Sequence, residues 1–254
     1  VKFFSTTRSI VRQVSYMIEA KEVNTRTGNL IIHSEDSIIG RSIENYGEYC
    51  WSEIELIKNH IGTNDFIIDV GAGIGTHSVA LGPHCGKVLS IEPDSENHEL
   101  LAKNLSINMC RNVTANHMAL GSEFKKVGTN SNYSKTTIND SGDIIMVALD
   151  SIQGFPAVNL IKVSANGMEL PILMGAKNTM SYFKCQVVVD VSDKASKPFI
   201  IDYLRGLNYN VYEFKCPLFT TANHKRNSKN LFGNASKDII FATFTEPNSR
   251  LTQV

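Results

Sequence analysis

A chain of 254 residues, 42% hydrophobic and 20% charged, can bury one large soluble core, alone or with a small cap. Its 25 Lys+Arg balance 25 Asp+Glu, which argues against a nucleic-acid partner, since basic excess supplies most of such affinity. No apolar run approaches a membrane span, and Cys50, Cys85, Cys110, Cys185 and Cys216 show no disulfide frame or metal-ligand spacing, so no membrane, no metal, reduced thiols and a cytoplasmic location are expected.

Residues 1–60 read as an N-terminal helical and strand cap, and 61–254 as one α/β domain. Lys2, Arg8 and Arg12 stand among apolar residues of the first 18, a pattern read as an amphipathic helix (Thr7 to Ala20) in preference to a targeting peptide. A strand is expected near Asn29 to His33. An amphipathic helix is expected near Trp51 to His60, where Ile54, Ile57 and Ile61 keep helical spacing.

From Phe66 strands and helices alternate. Strands are expected at Phe66 to Val70, Lys87 to Ile91, Val113 to Ala119, Val158 to Ser164, Cys185 to Val191, Asn210 to Phe214 and Ile239 to Phe244. Helices are expected at Gly75 to Leu81, Ser95 to Asn108, Gly167 to Met180 and Lys197 to Leu207. Several strands are unbroken β-branched apolar runs, as in sheets covered on both faces. Repeated βα units imply a mostly parallel, doubly wound, Rossmann-like sheet of seven strands with helices on both faces. The last two strands have no helix between them, which implies an antiparallel last strand at that edge. The polar stretches Gly121 to Gly142 and Cys216 to Lys237 read as excursions with short strands or loops.

The run FIIDVGAGIGTHS is an apolar strand ending in Asp69, glycines at 71, 73 and 75, then a helix start. Glycine permits positive φ and close ligand approach, and a helix N-terminus offers free N–H groups. Dinucleotide folds use G-x-G-x-x-G, whereas this spacing is G-x-G-x-G. It fits a cofactor without pyrophosphate, so S-adenosylmethionine (SAM) is favoured over NAD. Glu92 ends the next strand, where a carboxylate can accept both ribose hydroxyls. Asp69, Gly71, Gly73, Gly75, Glu92 and His117, which follows the third strand, are the expected cofactor-binding residues. His77 and Ser78 on the first helix turn are further candidates.

The chain resembles the FkbM-type methyltransferases over roughly Glu48 to Phe244. The likeness rests on GEYCWSEIELIKNHIGTNDFIIDVGAGIGTHSVAL, SIEPDSENHELLAKNL, HMALGS, ALDSI and NLIKVSANGMELPILMGAKNTM. It implies a SAM-dependent O-methyltransferase acting on a sugar or another small hydroxylated or glycan substrate. The family pattern after the fourth strand is close to I-K-I-D-V-E-G-A-E; here Ser164 replaces the aspartate and Asn166 the first glutamate. Neither can act as a general base near neutral pH. Lys162, Asp150, His224 and His117 are the remaining candidates to accept a proton. The alternative implied by the two lost carboxylates is a catalytically weak SAM-binding scaffold. No N/D-P-P-Y/F motif and no Pro-Cys pair is present, which disfavours amide, adenine and cytosine methylation.

Overall fold

The computed structural model describes residues 20–247 and 251–253. The helix expected from Thr7 lies outside them except for Ala20, which begins a strand. Strands β1 (Ala20–Thr25) and β2 (Gly28–His33) form an antiparallel hairpin. Helices α1 (Ile39–Tyr46) and α2 (Trp51–Lys58) follow. β1 and α1 go beyond the sequence reading, because both are short and bury few side chains in a mixed pattern.

The alternating part comprises β3 (Phe66–Val70), α3 (Thr76–Leu81), β4 (Lys87–Ile91), α4 (Ser95–Ile107) and β5 (Val113–Asn116). A polar insertion carries β6 (Ala119–Leu120), β7 (Lys125–Asn132) and β8 (Lys135–Val147). Then come β9 (Leu160–Val163), α5 (Glu169–Gly175), α6 (Lys177–Phe183), β10 (Gln186–Val191) and α7 (Lys197–Gly206). Strands β11 (Asn210–Pro217), β12 (Ser236–Thr243) and β13 (Thr252–Gln253) end the described chain.

The main sheet runs β13-β11-β12-β10-β9-β3-β4-β5. Neighbours from β10 to β5 pair in parallel, and β12 is antiparallel to both β10 and β11. The helix-free return from β11 to β12 leaves the chain no crossover with which to re-enter in parallel. Ile67 and Ile68, adjacent on β3, fall in opposite apolar clusters, because strand side chains alternate between faces. One cluster joins the N-terminal hairpin with α2, α3 and α4; the other joins α5, α6 and α7.

Three expectations need correction. Seven strands are expected, whereas the main sheet of the described residues has eight, because β13 adds beyond β11, and the antiparallel β12 lies between β10 and β11, not at the edge. The strand expected over Val113 to Ala119 breaks after Asn116, and Ala119–Leu120 leave the main sheet to pair with Met146–Val147. The helix expected over Gly167 to Met180 is two helices meeting at Ala176. Gly175 packs so tightly there that a Cβ would come within 1.9 Å of the Gly121 carbonyl oxygen. The polar excursion is a long twisted hairpin, β7–β8, with a bulge between Val127 and Gly128. Its own core is only Ala119, Val127 and Met146 with partly buried neighbours, which is why its pattern reads as loop.

Candidate functional site

The glycine loop leaves β3 at the C-terminal edge of the sheet. Gly71, Gly73 and Gly75 all have positive φ, at 72°, 55° and 92°. At Gly71 a Cβ would sit 2.0 Å from the Ser164 carbonyl oxygen, so packing against the loop after β9 excludes any side chain. At Gly73 a Cβ would meet no protein atom within 4 Å; it would project into open cleft. Thus one glycine serves packing and the next keeps space clear for a ligand. The Gly71 and Ala72 N–H groups donate to the Ile91 carbonyl at 2.9 and 3.1 Å.

Glu92 closes the same cradle. Its Oε2 accepts from the Gly73 N–H at 2.7 Å and its Oε1 from the Asp94 N–H at 3.0 Å. Burial outweighs those bonds and pushes the carboxyl up to about 7. Each oxygen retains a lone pair for a ligand hydroxyl.

Beneath the loop lies a buried polar network. Asp69 and Lys162 face each other on adjacent parallel strands and pair at 3.0 Å. The second Asp69 oxygen accepts from Ser78 Oγ at 2.6 Å, and Ser78 meets Ser90 at 2.8 Å. Burial by itself lowers the Lys162 ammonium, but Asp69, Glu53 and Asp190 together hold it above its ordinary value. Lys162 lines the cleft as the ion-pair partner of Asp69. Ser78, fully buried in this network, has no open side toward a ligand.

On the far side of the cleft, Ser164 Oγ donates to Asp190 Oδ2 at 2.8 Å. Asp190 is almost fully buried at the end of β10 and also accepts from Lys237 on β12. Burial alone lowers Lys237, but Asp190, Cys50 and Glu53 outweigh it and raise it. The carboxylate missing at position 164 is therefore supplied, within hydrogen-bond reach, by the neighbouring strand. Asn166, at φ 31°, and Gly167, at φ 93°, form the turn that follows. Glu169 folds back to accept from the Gly167 N–H at 2.9 Å and is itself buried.

The remaining candidates lie elsewhere. Asp150 accepts from the N–H groups of Asn178 and Thr179 at 2.8 and 2.7 Å and from the Thr179 hydroxyl at 2.7 Å. It caps α6 and does not line the cleft, which corrects its reading as a base. Asp150→Ala is expected to lower unfolding free energy by about 1–2 kcal/mol. A thermal melt checks this, and any change in cofactor affinity would contradict the cap assignment. His224 belongs to an exposed loop, where its N–H donates to Glu48 and its ring lies 3.4 Å from Asn24; it too is absent from the cleft. His117 Nε2 lies 3.0 Å from the Pro93 carbonyl, and its ring stacks on His98 outside the cleft wall. Ala119 and Leu120, just beyond it, line that wall instead. His77, by contrast, lines the cleft beside Thr76, buried, with Nε2 3.3 Å from Glu53.

The cleft encloses about 930 Å³ between the glycine loop, Glu92–Pro93, the loop after β9 and the β7–β8 hairpin. Asn97 ties the hairpin down, its Nδ2 donating to the Tyr133 carbonyl at 3.0 Å. Tyr133 reaches across to the N-terminal segment, its hydroxyl 3.2 Å from Glu35 and its ring tilted against His33 at 4.7 Å between centroids. Asp36, Ile39 and Tyr49 of that segment also line the cleft. Through Asn166 and Lys237 it continues into a shallower, polar recess of about 1020 Å³ lined by Asp190, Lys194 and Asp238. Sequence reasoning missed Asp190, although Asp69, Glu92 and Asp190 share one signal, an acid terminating an apolar strand.

These residues fit SAM. An uncrowded glycine at Gly73, a carboxylate with spare lone pairs at Glu92 and an apolar wall of Ile91, Pro93 and Leu120 suit its aminoacyl, ribose and adenine parts. The family model for the methyltransferase FkbM domain matches residues 69–211. A methyltransferase FkbM from Methylobacillus flagellatus superposes with a TM-score of 0.52 at 18% identity, over 70% of this chain and 43% of that one. This chain thus spans less than half the length of that relative. A precorrin 8w decarboxylase from Methanobacterium thermoautotrophicum gives 0.51 at 18% identity, over 75% and 87% of the two chains. A precorrin-6y C5,15-methyltransferase from Geobacter metallireducens gives 0.50 at 14% identity, over 76% and 87%. A comparison with curated protein sequences finds no significant match. The chain belongs to the FkbM methyltransferase domain family.

Proposed function

We propose that this FkbM-family methyltransferase binds SAM over the Gly71–Gly75 loop and methylates a hydroxyl of a sugar or another small hydroxylated acceptor. The observation that supports O-methylation is the Ser164–Asp190 hydrogen bond, which puts a carboxylate back where the family aspartate is lost. SAM supplies an electrophilic methyl on a sulfonium. Asp190 takes the proton of the acceptor hydroxyl as it attacks. Lys237 pairs with Asp190, and Ser164 orients it. The Asp69–Lys162 pair props the loop from below. Asp190, Lys194 and Asp238 give the recess donors and acceptors of both signs, which suits a polyhydroxylated acceptor better than a strongly charged one. Among the described residues no helix is long and apolar enough to cross a membrane.

Calorimetry with SAM, S-adenosylhomocysteine and NAD tests the cofactor, and labelled methyl transfer to a panel of glycosides tests the reaction. No SAM binding would overturn the proposal. SAM binding without transfer to any hydroxylated acceptor would favour a SAM-binding scaffold.

Glu92 gives the cofactor reading a pH signature. The ribose diol donates best to an ionised carboxylate, and Glu92 loses its charge as pH falls through about 7. SAM affinity is therefore expected to fall about tenfold between pH 8 and pH 6, and to be weaker and flat in Glu92→Gln. A flat wild-type profile would contradict the assigned contact. Cofactor-free stability runs the other way. With its carboxyl raised from 4.5 to about 7 in the folded state, Glu92 contributes stability below pH 4.5 that is lost as pH rises through 7.

A further inference from the structure

We propose that Cys50, Glu53 and Cys216 form a buried site for a zinc-class divalent cation, with His77 completing it. Cys50 precedes α2 and Glu53 lies in its first turn, three residues on, so both face the same way. Cys216 reaches them from the end of β11. Their ligand atoms all lie within 4.8 Å of one another, and all three residues are buried. Neither the cofactor cradle nor the Asp190 side of the cleft uses them.

A second observation points to a ligand. Glu53 Oε1 is buried without a hydrogen bond, while Oε2 faces His77. Nε2 lies 3.3 Å from Glu53 Oε2, within reach but out of line. Buried polar atoms are ordinarily satisfied, and a bound ion is one standard reason for exceptions. His77 is nine-tenths buried, comes from α3 and stands beside Glu53, at the margin of the three-residue cluster.

The donor set selects the metal. Two thiols, an imidazole and one carboxylate suit zinc, whereas magnesium and calcium need all-oxygen shells. The three defining ligands are 3%, 1% and 0% exposed, which leaves no open coordination position of the kind catalytic zinc requires. The inferred role is structural: a clasp holding α2 and α3 against β11, behind the wall that carries Tyr49 and Lys237.

The test uses the full chain, reduced and stripped of metal, titrated with Co²⁺ and then Zn²⁺. One equivalent of Co²⁺ is expected to give thiolate-to-cobalt absorption and red-region bands of tetrahedral coordination, with Zn²⁺ displacing it. Cys216→Ser and Cys50→Ser should weaken Zn²⁺ binding by more than the roughly 10–100-fold that loss of an outer-shell partner costs. Cys110→Ser, outside the cluster, should bind Zn²⁺ as the parent does. His77→Gln keeps the fold testable if a cysteine variant does not fold, and unaltered Zn²⁺ affinity in it would remove His77 from the site. Absence of the cobalt spectrum with all five thiols reduced would overturn the proposal. So would a Cys50–Cys216 disulfide forming under mild peroxide in protein that binds no Zn²⁺, since the pair would then be a redox couple.

Discussion

Asp190→Asn is expected to lower kcat for methyl transfer by about 10²–10⁴-fold while SAM affinity stays unchanged. The amide is isosteric and still accepts the Ser164 hydroxyl, so the carboxylate's basicity is the main loss. Lys237 loses its charged partner but is 29% exposed along its side chain, and water can take part of its hydration back. Asp190→Glu, which keeps the carboxylate, should recover part of the lost rate. A full-rate Asn variant would overturn the assignment of Asp190 as the base. The same geometry changes what restoring the family residue would do. Ser164→Asp would set a second carboxylate against Asp190, now 2.8 Å from the serine oxygen, and two such groups cannot both ionise freely. Loss of activity, not gain, is therefore expected from that substitution alone.

The largest stability effect should come from Lys162→Met. It removes the charged partner of Asp69 in a fully buried position, where Ser78 is the side chain still bonded to it. Breaking one partner of a buried pair costs about 3–5 kcal/mol, whereas replacing both with apolar residues of similar volume is often neutral. The single variant should thus melt roughly 6–20 °C lower, and Asp69→Leu/Lys162→Met should recover most of the loss. SAM affinity should fall in both, since Asp69 directly precedes the loop. A single variant as stable as the parent would show that the pair contributes nothing to the fold.

The contrast between Asp69 and Asp190 shows what a sequence can and cannot carry. Asp69 is legible because its strand, its glycines and its helix are contiguous, so one short run holds the whole unit. Asp190 ends a similar strand, but its meaning depends on Ser164, 26 residues earlier, and on Lys237, 47 residues later. Only the packing of β9, β10 and β12 side by side brings the three together. Asp150 misleads in the opposite sense: its family-like setting is local, but its bonds go to α6.

By itself the sequence determined the alternation of buried strands and helices, the antiparallel direction of the helix-free return and the G-x-G-x-G loop with its two flanking acids. Those are short-range properties, set by side-chain period, glycine conformation and the absence of a crossover helix. Tertiary structure alone decided that Lys162 pairs with Asp69, that Asp150 and His224 stand away from the cleft, and that the polar hairpin roofs it. It also decided that Cys50, Glu53 and Cys216 meet. The physical reason is common to all of these. Charge state, exposure and ligand geometry depend on which distant segments the sheet order places side by side, and no local spacing encodes that order.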